Sequence, residues 1–90
     1  MSQTFGQYFR ELRLVRGIGL RQYSRMIDIY SSQMSKIESG KISPPNTIAK
    51  VKQFILPLNP TQNEKTLLIQ KAYEFHVERV MAKIRKDFAP

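Results

Sequence analysis

Cysteine is absent from these 90 residues, and histidine occurs once. Without Cys there is no disulfide framework of the kind that staples small secreted folds. One His and no Cys leave no zinc site. Carboxylates are scarce, seven in all, and no paired arrangement of them suggests acid–base chemistry. A chain this short also has little room for a water-excluding active site. The expectation is a protein that is not an enzyme and uses no metal or cofactor. No stretch approaches the ~20 apolar residues of a membrane span, and the N-terminus has no apolar signal region. A cytoplasmic location is expected, with the nucleus as the alternative.

Basic residues are plentiful. Lys and Arg total 15, the formal net charge is +8, and the pI is about 10.1. That balance suits a polyanion, either nucleic acid or an acidic membrane surface. The charge is uneven. Residues 1–57 hold nine bases and three acids, whereas residues 58–90 hold six and four. The N-terminal two thirds therefore carry the electrostatic footprint. At 41% hydrophobic the chain has the means to bury one core, and its length leaves none for a second.

Caps and breakers divide the chain into five helices, an all-α pattern. Thr4 with Gln7 forms a capping box, and Phe5, Phe9, Leu12 and Val15 follow at helical spacing until Gly17 stops the helix. A second helix runs from Leu20 to Ile27, with Tyr23, Met26 and Ile27 facing inward. Asp28 and Ile29 make a turn, Asp being tolerant of left-handed backbone. A third helix runs from Ser31 to Ser39, capped by Tyr30 or Ser31 and ended by Gly40. The loop through Pro44 and Pro45 feeds a fourth helix, proline being at home in a first turn, with Ile48, Val51, Phe54 and Ile55 as its stripe. Pro57 and Pro60 break the chain, and Thr61 with Glu64 opens a helix that runs unbroken to about Phe88.

Residues 20–39 thus form two short helices joined by a tight turn. On the third helix, at 100° per residue, Ser31, Ser35, Ser39, Ser32 and Lys36 share one face. Met34 and Ile37 lie opposite, and Gln33 sits on the flank. Small hydroxyls permit close approach to a groove, Lys36 suits guanine acceptors or a phosphate, and Gln33 suits adenine. The alternative is a Ser-rich surface helix without a task, although Ser is a mediocre helix former.

The stretches Phe5–Arg13, Gly17–Arg21 and Met34–Lys41, the last containing Ile37-Glu38-Ser39-Gly40-Lys41, resemble the Cro and phage-repressor class of helix-turn-helix domains over residues 5–56. The resemblance implies a compact five-helix, lambda-repressor-like domain. It implies base reading by Ser31, Ser32, Gln33 and Lys36, and backbone contacts from Arg21, Ser35, Ser39 and Lys41. It also implies a structural ion pair between Arg13 and Glu38, where Arg13 would otherwise be a phosphate contact. Leu20 stands where the family often carries a phosphate-clamping Gln, which implies that Arg21 takes over the anchoring. Asp28 stands where the turn is often Gly, and Ser24 where a small residue packs inside. Arg10, Arg16 and Arg25 either add long-range attraction or are solvated surface.

The divisions expected are residues 1–57 as the DNA-binding core and residues 58–90 as a helix that completes the core and dimerises. In that last helix Leu68, Ile69, Ala72, His76, Val77, Val80, Met81, Ile84 and Phe88 recur at three- and four-residue spacing, with Tyr73 beside them. Its end projects beyond so small a domain, so Val77, Val80, Met81, Ile84 and Phe88 are the expected dimer interface. A second copy is the simplest partner, a toxin held by an antitoxin is the rival, and bending back onto the core is the third option. His76 reads as a core or interface residue, and Lys83, Arg85 and Lys86 as a solvated tail. The function expected is a transcriptional repressor that binds a palindromic DNA operator as a homodimer, with the self-regulating antitoxin as the alternative.

Overall fold

A computed structural model describes residues 3–88, and within them the chain is all-α. The elements are α1 (Phe5–Val15), α2 (Leu20–Met26), α3 (Ser31–Glu38), α4 (Ile48–Ile55), a 3-10 turn (Leu56–Leu58) and α5 (Gln62–Phe88). The helix boundaries follow local chemistry. Thr4 Oγ1 accepts from the Gln7 N–H at 3.2 Å while Gln7 Oε1 accepts from the Thr4 N–H at 3.0 Å, so two otherwise orphan donors are satisfied. Thr61 and Glu64 repeat the same reciprocal pair at the start of α5, at 3.2 and 2.9 Å. Gly17 and Gly40 stop α1 and α3 with φ of 69° and 79°. Asp28 turns the corner between α2 and α3 at φ 57°.

The core draws one or more side chains from every element: Phe5, Phe9 and Leu12 of α1, Tyr23 of α2, Met34 and Ile37 of α3, Val51, Phe54 and Ile55 of α4, Leu58, and Leu68 and Ala72 of α5. Phe9 is its hub. Its ring lies 5.0 Å from Tyr23, edge to face, and 5.0 Å from Phe54. Tyr23 is fully buried, and its hydroxyl donates to the Phe54 carbonyl at 2.5 Å. Burial pushes the Tyr23 phenol well above its ordinary value.

The structure corrects several expectations about faces. Val15 is 76% exposed, because at 100° per residue it has drifted about 80° around the helix from Phe5 and further from Phe9. Met26 is exposed; α2 meets the core through buried Tyr23 and Ser24 and half-buried Leu20. Ile48 is 60% exposed at the first turn of α4. Pro44 and Pro45 lie ahead of α4 rather than within its first turn. Thr47 is the cap, and its Oγ1 accepts from the Lys50 N–H at 3.1 Å.

The first half of α5 packs on the core through Leu68 and Ala72. From Val77 onward its described side chains are exposed. The helix therefore projects, and the chain measures 48 × 28 × 25 Å. Arg16 anchors the near end of α5 to α1 by donating to Glu64 Oε1 at 2.5 Å. This replaces the solvated or DNA-attracting role expected of Arg16.

Candidate nucleic-acid interface

The turn between α2 and α3 is closed by the Ile29 N–H donating to the Ser24 carbonyl at 3.0 Å, with Ser24 buried. Tyr30 caps α3 without a side-chain bond, so the first-turn N–H groups of α3 have no side-chain acceptor. Met34, Ile37 and Glu38 are buried and hold the helix to the domain. Ser32, Gln33, Ser35, Lys36 and Ser39 are exposed, and Ser31 is half-buried. Arg21 on α2 and Lys41 beyond α3 are exposed as well. One face of α3 is thus short and polar with a single cation, and the other is anchored.

Glu38 would spoil that face if it turned outward, since it is the helix's only acid. Instead Arg13 grips it with both arms. Nε donates to Oε2 at 2.7 Å and Nη2 to Oε1 at 3.0 Å, while Nη1 reaches the Ile18 carbonyl at 2.7 Å. Both side chains are 6% exposed. Arg10 adds a looser approach to Glu38 at 3.9 Å from an exposed position. A bidentate, buried Arg–carboxylate pair fixes direction as well as distance, so α3 is held at a set angle to α1.

Gly6 makes that closeness possible. A Cβ there would stand 2.5 Å from the Glu38 carbonyl oxygen and closer still to that of Ile37. These are backbone atoms, which have no side-chain freedom to yield. Spacing arguments did not single out Gly6. Within a helix it looks like a small residue on the α1 face, and only the contact reveals its role.

The exit from α3 is tightly wound. Lys41 and Ile42 N–H groups both donate to the Lys36 carbonyl, at 2.9 and 3.3 Å. Ser39 Oγ donates to the same carbonyl at 3.2 Å, which occupies the donor that a phosphate contact needs. Ser39 must rotate to take the backbone role implied for it. The following loop is tied to α5 by two residues that sequence spacing did not assign to it. His76 Nε2 lies 3.0 and 3.2 Å from the Pro44 and Pro45 carbonyls, two acceptors, so Nε2 carries the hydrogen. Arg79 donates to Ser43 Oγ. Lys41 shares a shallow depression with Ser43, Glu78 and Arg79.

Val77, Val80, Met81 and Ile84 are exposed, 39–57% each. The Phe88 side chain lies outside the described residues. Among the described residues no helix is long and apolar enough to cross a membrane, and no group of three or more His, Asp or Glu is placed to hold a metal ion. Comparison with family models, with curated proteins and with solved structures returned no match.

Proposed function

We propose that this chain is a helix-turn-helix regulator that lays α3 in the DNA major groove and represses by occupying its operator as a homodimer. One observation carries the reading. The outward face of α3 is built from Ser32, Ser35, Ser39, Gln33 and Lys36, and the helix's only carboxylate is withdrawn and neutralised by Arg13. A groove about 12 Å wide admits such a helix, and short hydroxyls let its backbone approach base edges. Lys36 and Gln33 reach further, to guanine and adenine acceptors. Arg21 and Lys41 hold phosphates and release counterions, which makes binding fall steeply with salt.

Selection of bound sequences from a random duplex pool at physiological salt tests this. A palindrome with half-sites about one helical turn apart is the expected result. Failure to enrich any sequence overturns specific reading. A second polypeptide that co-purifies with the chain and releases it from DNA points instead to the antitoxin type of regulator.

A further inference from the structure

An apolar groove runs between α4 and α5, lined by Ile48, Val51, Ile69, Ala72, Tyr73 and His76, with a volume near 540 Å³. Its α5 wall extends from Thr66 to His76, about 16 Å at the helical rise. The projecting part of α5 from Val77 to Phe88 is about 18 Å long. Groove and projection therefore match in length and lie end to end on the same helix. The groove floor, Val51 and Ala72, is buried, while Tyr73 and Ile48 on its rims are 69% and 60% exposed.

From this geometry we infer that two copies pair through antiparallel α5 helices, each inserting its projecting half into the α4–α5 groove of the other. This rests on the homodimer reading above and adds the surface and its register. Tyr73 and Ile84 are eleven residues apart, which places them about 20° apart on one face. A two-fold axis between residues 78 and 79 sets Tyr73 opposite Ile84 of the second copy and Val77 opposite its Val80. Met81 then falls opposite His76, at the end of the second copy's groove.

The flanking charge agrees with this register. Glu74 and Arg85 lie on the same flank, and in this register Arg85 of the second copy is offset from Glu74 by two residues, about 3 Å along the helix. In a two-fold antiparallel pair like flanks face each other, so Glu74 of one copy lies within reach of Arg85 of the other, twice over. A parallel pair would instead set the Arg85 residues at the same level, in a chain already carrying +8. The exposed parts of Ile48, Tyr73, Val77, Val80, Met81 and Ile84 sum to on the order of 500 Å² per chain, about 1,000 Å² for two, the threshold for a biological interface.

The absence of cysteine makes the test direct. Tyr73→Cys and Ile84→Cys chains are mixed under mild oxidation, and the products are weighed by intact mass. The expected product is the mixed disulfide, with neither variant cross-linking alone. In the proposed register Ile84 and its own copy are about 16 Å apart along the helices, beyond the ~7 Å reach of a disulfide. Cross-linking of Ile84→Cys to itself overturns the antiparallel register. Sedimentation velocity of the unaltered chain runs alongside, and a monomer at 100 µM overturns the pairing outright. Val80→Glu, at an exposed position that leaves the helical circular dichroism unchanged, weakens association about 100-fold, since the two-fold buries the carboxylate twice. No arm uses DNA, so a failure here leaves the reading of α3 to be judged by the sequence selection.

Discussion

Replacing Gly6 by Ala sets two effects against each other. In an exposed helix interior the change stabilises by up to about 1 kcal/mol, because Ala loses less backbone entropy. At Gly6 the added methyl would lie 2.5 Å from the Glu38 carbonyl oxygen and 2.8 Å from its carbonyl carbon. Both are backbone atoms, so α1 and α3 must separate by roughly half an ångström or more. That motion loosens the packing of Phe5 and Phe9 and stretches the 2.7 and 3.0 Å bonds between Arg13 and Glu38. Overpacking of this kind costs about 1–3 kcal/mol, and strain on a buried ion pair adds to it. The steric cost exceeds the propensity gain, and a net loss of about 2 kcal/mol is expected. In a domain of this size that lowers the melting midpoint by roughly 8–16 °C. Thermal and urea melts followed by circular dichroism measure it. Gly19→Ser is the matched control. Nothing lies within 4 Å of a Cβ at Gly19, and its φ of −70° suits any residue, so a gain of a few tenths of a kcal/mol from the new cap is expected. A Gly6→Ala chain as stable as the unaltered one, or more so, refutes the account of how α3 is held.

The Arg13–Glu38 pair should show strong coupling. Arg13→Met and Glu38→Gln each destabilise by about 3–5 kcal/mol, because each strands a buried partner, while the double change costs well below their sum; a double-mutant cycle in urea checks this, and simple additivity contradicts it. Lys36→Ala should lose about 1–3 kcal/mol on the selected site and relax preference at one base position, whereas Arg21→Ala should weaken all duplexes alike and reduce the salt slope by about one; competition binding at several salt concentrations separates the two. The Thr61 N–H, and then Arg16, hold the Glu64 carboxyl below its ordinary value against the opposing effect of burial. Glu64 therefore stabilises the fold above pH ~4.3, and the contribution fades as pH falls through its lower folded value. Glu64→Gln should lower stability at pH 7 and flatten its acid limb below pH ~4.3, read from urea midpoints across pH.

How much of this was legible beforehand depends on the range of the interaction. Helix starts at Thr4 and Thr61, and stops at Gly17, Gly40 and the Asp28 turn, follow from hydrogen-bond donors and backbone sterics a few residues away, so an all-α chain with five helices was readable in the sequence. So was the two-sided character of α3, because 100° per residue sets Met34 and Ile37 opposite Ser32, Ser35 and Lys36. The same reasoning failed at Val15, Met26 and Ile48, which stand at helix ends and off the buried face.

What the linear order could not disclose joins residues far apart. Gly6 against the Ile37 and Glu38 carbonyls, Arg16 on Glu64, His76 on the Pro44 and Pro45 carbonyls, and the groove between α4 and α5 depend on where helices cross. Sequence by itself determined the elements, their faces and the excess of positive charge, since these follow from local sterics, period and composition. Tertiary structure alone decided that Arg16 is spent on Glu64 and Arg79 on Ser43. A guanidinium is spoken for only when packing brings an acceptor within about 3 Å of it and shuts water out.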